Sequence, residues 1–455
     1  MSARAKKFVV SVPVPVPAYT KWNRHYQKHP NSPVNVSFHP NSSCCRPTLM
    51  TTVTHAFSLS GSAPEYSSAG ELVDTGRKER RKRIAGIDQD ELLDPKLLAD
   101  PDSCFCEFQG VEIHHMLYDQ DQTQTPSLKR GLPMILLHGF GASVFSWTKV
   151  MKRLANLTGS KVLAFDRPAF GLTSRLNTFG TKANDVNPQN PYSMAFSVLA
   201  TLYFIDFLAA EKAILVGYAE RLFLFLCSTL VNTNTSFFRR DRHSAGSLVA
   251  VDAYFEAPER VAALILVAPA ILAPRAIPKT KVVETKGDRS DSNNLPKPPF
   301  SVFRRAVQVY QVRMIIDKFG VAAVRMAWYD SKQVDEHIID GYTKPLRTKG
   351  WDKALVEFTA AMLLKGESER KPPLSKRLHE ISCPVLIVKG DTDRIVPSWN
   401  AKRLSRAIPR SKLEVIKNCG HLPLEEKVDE FVRIIDKFLH RAFGGLEEHF
   451  VQAVT

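Results

Sequence analysis

The sequence predicts an α/β protein: a mostly parallel sheet flanked by helices, with a helical cap inserted between two strands. Two observations carry this prediction. Short, continuous apolar segments recur along the chain, each followed by a turn, as in strands that are buried on both faces. The intervals between them are long enough for a helix, which is how parallel strands are usually connected.

The elements follow in chain order. Residues 1–83 are predicted to be a disordered basic tail or a targeting segment, 84–103 a linker, and 443–455 a C-terminal tail. The folded domain, 104–442, begins with CEFQGVEIHHMLYD, which predicts a hairpin around Gln109 and Gly110. The apolar segments predicted as strands of the parallel sheet are PMILLHG (133–139), KVLAFD (161–166), KAILVG (212–217), VAALILVAP (261–269), CPVLIVKGD (383–391) and KLEVIKN (412–418).

The predicted cap spans about 272–376, where the strand rhythm stops. Residues 279–299 are polar and predict a loop, and FSVFRRAVQVYQVRMIIDKFG and KALVEFTAAMLLKG then have the apolar spacing of helices. Most of the large apolar side chains here should form the core of the cap, and some could line an acyl pocket. They are Phe300, Phe303, Val307, Tyr310, Met314, Ile315 and Trp328.

Composition narrows the classes of function. The chain has 455 residues and a net charge of +16, of which residues 1–83 supply +9, with 13 Lys and Arg against 4 Asp and Glu. A charged tail favours targeting or solvation over a nucleic-acid-binding face. No apolar run reaches the roughly 20 residues of a membrane span, which leaves peripheral membrane contact open. The seven cysteines lack the spacing of a disulfide framework or a zinc site.

The N-terminal segment suggests a compartment. The first 70 residues contain one acidic residue, Glu65, with eleven serines and seven Lys or Arg. This composition resembles a transit peptide for a plastid or another organelle. The alternative is an ordinary disordered tail on a cytoplasmic protein.

Three chemically capable side chains lie on loops that follow predicted strands. They are Ser244 in HSAG, Asp393 in GDTDRIVP and His421 in NCGHLPLEEKVDEF. The carboxyl ends of parallel strands share one edge of a sheet, where ligands bind. With the order Ser, Asp, His, the region 104–442 resembles the α/β-hydrolase superfamily, and within it the serine hydrolases of esterase or lipase type.

The resemblance implies a role for each residue. Ser244 would be the nucleophile, His421 the general base, and Asp393 the carboxylate that orients the base, with Asp391 as a competing carboxylate. The implied oxyanion hole consists of the backbone N–H groups of Phe140, in LLHGFGAS, and Ala245. The residues expected to support the loop and the nucleophile turn are His138, Gly139, Gly217, His243 and Gly246, and Asp166 and Arg167 in FDRPAFGLTS are interpreted as structural.

A 25-residue segment, Tyr218–Arg242, interrupts the nucleophile turn. Its removal would join Gly217 to His243 and restore the motif G-H-S-A-G. In the intact chain Arg242 stands two residues before Ser244, where this sharp turn requires a small residue. The borders fit an intron retained within a split glycine codon, so we interpret the segment as a translated intron, with an evolved insertion as the alternative. We expect it to bulge from the ligand-binding edge with few sheet contacts.

The hypothesis from sequence is a serine hydrolase that cleaves a small, lipophilic carboxylic ester through an acyl-enzyme. No metal or organic cofactor is implied. A carbon–carbon bond hydrolase that keeps the serine is one alternative. A catalytically impaired or ligand-binding protein of the same fold is another, because the nucleophile turn is interrupted.

Overall fold

The computed structural model describes residues 83–120, 131–176, 190–218, 245–271, 298–363 and 374–444. Most of the described strands join one eight-stranded sheet, in the order β10-β9-β8-β7-β5-β6-β4-β3, and β1 and β2 pair separately. The strands are β1 (Arg83–Ile84), β2 (Ile87–Asp88), β3 (Ser103–Phe108), β4 (Val111–Tyr118), β5 (Met134–Leu137), β6 (Val162–Phe165), β7 (Ala213–Tyr218), β8 (Val261–Val267), β9 (Val385–Gly390) and β10 (Ser411–Ile416).

Strands β5 to β10 pair in parallel, and each lies on one of the six apolar segments predicted as strands. The predicted hairpin is also present, because β3 and β4 are antiparallel partners. Gln109 and Gly110 connect them with positive φ angles of 49° and 75°. That conformation matches the right-handed twist of a hairpin, and glycine adopts it without strain.

Helices cover both faces of the sheet. The described helices are α1 (Thr148–Thr158), α2 (Met194–Phe207), α3 (Ala245–Glu256), α4 (Pro298–Ala327), α5 (Glu336–Thr343), α6 (Trp351–Leu363), α7 (Leu374–Arg377), α8 (Ser398–Ala407), α9 (Pro423–Glu426) and α10 (Val428–Phe443). Leu215 and Ile387 pack with α2, α3 and α8, whereas their neighbours Ile214 and Leu386 pack with α1 and α10. Both sides of each central strand are therefore buried, which explains why its sequence is continuously apolar.

Helices fill the described part of the predicted cap. Ile315 of α4 is buried there, and Trp328 is buried in a cluster that includes sheet residues. Val307 and Tyr310 differ from the expected cap core, because they are 38% and 67% exposed. The long helix α4 turns one side to solvent, and these two residues lie on that side. The side chains of Phe300 and Phe303 fall outside the description.

Residues 84–103, interpreted above as a linker, contain structure of their own and contact the cap. The N–H of Ala85 donates to Asp317 Oδ1 of α4 at 3.0 Å. Trp351 Nε1 of α6 donates to Gln89 Oε1 at 3.0 Å. This segment therefore packs with the folded domain. None of the described helices is long and apolar enough to cross a membrane.

Candidate active site

Asp393 and His421 lie together at the carboxyl edge of the sheet. Asp393 follows β9 and His421 follows the adjacent β10, so two neighbouring strands deliver them to the same place. His421 Nδ1 lies 3.0 Å from Asp393 Oδ2, and neither side chain is exposed to solvent. The pair has the geometry by which a carboxylate orients an imidazole.

The Asp393 carboxylate is fixed on both oxygens. Oδ1 accepts the N–H groups of Ile395 at 2.8 Å and Val396 at 2.9 Å, while Oδ2 faces His421. Burial alone would raise the pKa of the Asp393 carboxyl. The charge and hydrogen bond of His421, followed by those of Lys389, instead hold that pKa well below its usual range. Asp393 is therefore a carboxylate at neutral pH.

The competing carboxylate, Asp391, is engaged elsewhere. It is exposed and accepts the N–H of Cys419 at 3.3 Å and the hydroxyl of Thr392 at 3.1 Å. The contact with Cys419 links the loop after β9 to the loop after β10. Asp391 thus braces the loop, and Asp393 is the carboxylate that contacts His421.

The loop that carries His421 is anchored to the end of the long cap helix. The N–H of His421 donates to the carbonyl of Ala327, the last residue of α4, at 2.7 Å. A Cβ on Gly420 would lie 2.4 Å from the same carbonyl oxygen, so only glycine fits there. Glu426 accepts the N–H groups of Gly420 at 3.0 Å and of Tyr329 at 2.7 Å. The base loop and the cap therefore share one hydrogen-bond network.

The strand and helix that flank the proposed nucleophile meet closely. A Cβ on Gly246 would lie 2.4 Å from the carbonyl oxygens of both Leu137 and Tyr218, and one on Gly217 would lie 2.5 Å from that of Gly246. Ser247 Oγ donates to the carbonyl of Gly217 at 2.8 Å. The start of α3 consequently stands on the carboxyl ends of β5 and β7, and both glycines are required sterically.

The nucleophile itself falls outside the described residues. Ser244 and His243 belong to 219–244, together with almost all of the inserted segment, and Ala245 is the first residue of α3. Tyr218, counted above as the first inserted residue, is the last residue of β7. It pairs with Val267 and is fully buried. Strand β7 thus continues one residue past Gly217.

The HGFG loop after β5 is braced through His138. Its Nδ1 donates to the carbonyl of Gly139 at 2.7 Å, and its Nε2 accepts the N–H of Arg167 at 3.0 Å. Burial, aided by the charge of Arg167, lowers the pKa of His138 to about 3, so the ring is neutral. Phe140, which follows Gly139, is buried, and its ring centre lies 5.2 Å from that of Phe170.

Asp166 connects three segments beneath this loop. Its Oδ1 accepts the N–H of Val144 at 2.7 Å, and its Oδ2 accepts the N–H of Leu172 at 2.7 Å. His114 Nδ1 of β4 lies 2.6 Å from the same Oδ2. Asp166 thus holds together the loops that follow β5 and β6. This agrees with the interpretation of Asp166 as a structural residue.

The Arg167 side chain is buried between aromatic rings. Its guanidinium carbon lies 5.2 Å from the ring centre of Phe170 and 5.5 Å from that of Phe358 in α6. In the described part of the chain its side-chain nitrogens have no hydrogen-bond partner, and burial lowers its pKa to about 9. The ring of Phe170 contacts it from its own loop, and the ring of Phe358 supplies its contact with the cap.

An apolar cleft opens beside the HGFG loop. Phe140, Gly141 and Ala142 form one side, and cap residues such as Ile316 and Leu355 form another. Arg175 also lines it, but donates to the backbone carbonyls of its own loop. The cleft therefore offers a predominantly apolar surface next to one proposed oxyanion donor.

Two contributors to this site were missed from the sequence. Lys389 is a buried lysine that contacts Asp393, and its signal was a single cation within the apolar strand VLIVKG. Glu426 is one of several acids that follow His421 in the sequence, and it accepts the N–H groups of the base loop. Glu425 and Glu426 both follow the Gly420 turn, so spacing alone does not distinguish between them.

Comparison with known proteins shows what part of this chain is similar to. A model described as "Alpha/beta hydrolase family" matches residues 243–434. The chain is 24% identical over 331 residues to the uncharacterized hydrolase YugF of Bacillus subtilis (strain 168), covering 72% of this chain and 95% of that protein. It is 23% identical over 318 residues to 2-hydroxy-6-oxo-6-phenylhexa-2,4-dienoate hydrolase of Comamonas testosteroni, covering 68% and 88%.

Among solved structures, a thermophilic esterase from Thermogutta terrifontis aligns with a TM-score of 0.48 and 19% identity, over 75% of this chain and 98% of that one. The family match covers the helix after the proposed nucleophile together with Asp393 and His421. The observed sheet has the parallel core and cap insertion that the sequence resemblance implied. The chain therefore has the α/β-hydrolase fold, and its residues 243–434 are similar to the α/β-hydrolase family.

Proposed function

We propose that this chain is a serine hydrolase of the carboxylesterase or lipase kind. The observation that carries the proposal is the buried hydrogen bond between Asp393 and His421 at the carboxyl edge of the sheet. A neutral imidazole held by a carboxylate is the general base that a serine hydroxyl needs for attack. The start of α3, one residue after Ser244, stands at this same edge.

The proposed reaction uses two acyl transfers. Ser244 Oγ attacks the ester carbonyl while His421 takes its proton, and the tetrahedral oxyanion accepts the N–H groups of Phe140 and Ala245. His421 then gives the proton to the departing alkoxide, which leaves as an alcohol. Water, deprotonated by His421, attacks the acyl-enzyme, releases the carboxylic acid and returns Ser244 to its hydroxyl form. Asp393 stays ionised and orients the imidazole throughout.

The substrate we propose has a lipophilic portion. Its support is the apolar cleft between the HGFG loop and the cap, which adjoins the proposed oxyanion donor Phe140. Burying apolar substrate surface there would stabilise binding by about 25 cal/mol per Å². The single arginine in the described lining, Arg175, is already engaged by carbonyl groups.

Hydrolysis of a carbon–carbon bond is a second candidate with the same nucleophile. Its support is the relative from Comamonas testosteroni, whose named substrate is an oxo-dienoate. Such a substrate would place a ketone, rather than an ester, in the oxyanion hole. A panel of short acyl esters and oxo-dienoates therefore distinguishes the two reactions by which compound is consumed.

Labelling with a fluorophosphonate tests whether the serine is activated. We would compare the full chain with a deletion form that lacks Tyr218–Arg242, and with Ser244→Ala in each background. Labelling that disappears with Ser244→Ala supports the proposal, and turnover of an acyl ester then identifies the reaction. Folded protein that is unlabelled in both backgrounds would favour the catalytically impaired or ligand-binding alternative.

A further inference from the structure

A buried lysine contacts the carboxylate that holds the proposed base. Lys389 lies within β9 and is only 1% exposed. Its Nζ donates to Asp393 Oδ2 at 2.8 Å and also to the carbonyl of Val396. His421 Nδ1 lies 3.0 Å from the same carboxylate oxygen. One oxygen therefore faces both an ammonium group and the imidazole.

This arrangement changes the charge that the base experiences. A carboxylate alone would favour the imidazolium form of His421 with a full opposite charge. An ammonium group on the same oxygen offsets part of that charge and adds a cation near the ring. Because all three side chains are buried, solvent screens these interactions only weakly. Lys389 should therefore oppose protonation of His421.

We propose that Lys389 is a positioning residue that acts through Asp393 and sets the pH at which His421 takes up a proton. Its second contact, with Val396, ties β9 to the loop whose N–H group binds Asp393 Oδ1. A general base works best when it is unprotonated at the operating pH, so this device would keep the base available in mildly acidic solution. The consequence for turnover rests on the proposed function, whereas the effect on protonation does not.

In the described part of the chain, the neighbouring charged groups have other partners than the Asp393 carboxylate. Asp391 is exposed and engaged with the N–H of Cys419, and Glu426 accepts the N–H groups of Gly420 and Leu422. Burial raises the pKa of the Cys419 thiol, which keeps it uncharged. Within the described residues, further titratable groups on the elements around the pair include Arg394, Lys417, Glu425 (bonded to the Tyr342 hydroxyl), Lys427, and Arg325 and Tyr329 at the end of α4.

The test is a titration of the histidine ring in the folded full chain, which requires no turnover. We would label histidine with ring ¹³C, assign the His421 signal by its loss in His421→Gln, and compare Lys389→Met and Lys389→Gln with the parent chain. Both neutral variants should move the His421 titration midpoint upward by about one pH unit. Lys389→Arg should restore most of the parent value. Lys427→Met, a nearby lysine without contact to Asp393, should leave it unchanged.

A purely structural lysine would give another result. Both neutral variants would then lose thermal stability while the His421 midpoint stayed within about 0.3 pH units of the parent, and that outcome overturns the proposal. If Lys389→Met does not fold, Lys389→Gln decides, because its amide keeps a neutral polar group in the buried site. Absence of esterase activity in every form would count against the proposed function, and the titration would still decide the role of Lys389.

Discussion

The two halves of the proposed site are held in different ways. In the acid–base half, Asp393 and His421 follow adjacent strands and bond directly, and short loops carry both. In the nucleophile half, β7 and α3 also meet closely, at Gly217 and Gly246. The chain between those two elements, however, runs through residues 219–244, which lie outside the described residues and include Ser244.

The packing of a strand against a helix and the placement of one side chain between them depend on different residues. The position of α3 on the sheet depends on its buried face, and a long connection affects it little, because doubling a loop costs only about 0.6 kcal/mol. The position of a nucleophile instead depends on the residues immediately beside it, where a shift near 1 Å can cost about 100-fold in rate. A complete fold is therefore compatible with a misplaced serine.

The largest effect should come from the acid–base half. In the deletion form that lacks Tyr218–Arg242, Asp393→Asn should lower kcat for a short acyl ester by about 10⁴-fold, since the base loses the partner that fixes its tautomer. Asp391→Asn, the matched control two residues away, should change kcat less than 10-fold because Asp391 does not contact His421. Equal losses in the two variants would show that the carboxylate acts through the loop and not through the base.

Restoring the nucleophile turn should have the next largest effect. Deleting Tyr218–Arg242 places Gly217 two residues before Ser244, and we expect esterase activity to rise about 100-fold at matched folded concentration. Ser244→Ala in that form should abolish acyl-enzyme formation. A deletion of 219–242 is the register control: it retains Tyr218, places the glycine three residues before the serine, and should stay slow. A full chain as fast as the deletion form would mean that the segment is a tolerated loop.

The sequence predicted the parallel core well because a strand that is buried on both faces is apolar at every position. Each central strand is a short, uninterrupted apolar segment, as in PMILLHG and CPVLIVKGD, and its identity hardly depends on remote residues. The choice of Asp393 over Asp391 also agrees with the observed contacts, since the position of the second carboxylate relative to β9 places it beside His421.

Features that depend on tertiary contacts were harder to predict from the sequence. Val307 and Tyr310 have helical spacing with the buried residues of α4, but the sequence does not reveal which side of a long cap helix lacks a covering layer. Residues 84–103 have weak periodicity and pack through isolated contacts such as Gln89 with Trp351. A lysine inside a buried strand is normally destabilising because its charge loses solvation. Here the ion pair with Asp393 accounts for it.

A steric test distinguishes the packing of the nucleophile half from its chemistry. Gly246→Ala should lower the free energy of unfolding by about 2–3 kcal/mol, because its Cβ would lie 2.4 Å from two backbone oxygens that cannot move independently. Gly320→Ala is the matched control within α4, where a Cβ would meet only Ile316 Cγ2 at 3.5 Å. That change should raise stability by about 0.5–1 kcal/mol. Urea unfolding measures both, and a harmless Gly246→Ala would contradict the close junction of β7 and α3.

The smallest effect should come from loosening the base loop where it meets the cap. Glu426 accepts N–H groups from Gly420, Leu422 and Tyr329, and a glutamine would present an amide N–H₂ group to at least one of these donors. We expect Glu426→Gln to lower the free energy of unfolding by about 1 kcal/mol, the scale of a lost hydrogen bond.

The control for this change is Glu430→Gln on α10, whose contact with Arg433 is a 3.8 Å pair near the surface and should contribute almost nothing. Urea unfolding of the two variants, with esterase assays in the deletion form, measures the difference. A several-fold lower kcat in Glu426→Gln alone would show that the cap helps to position His421. Equal stability and activity in both variants would show that the direct bond from His421 N–H to the carbonyl of Ala327 is enough to hold the base loop.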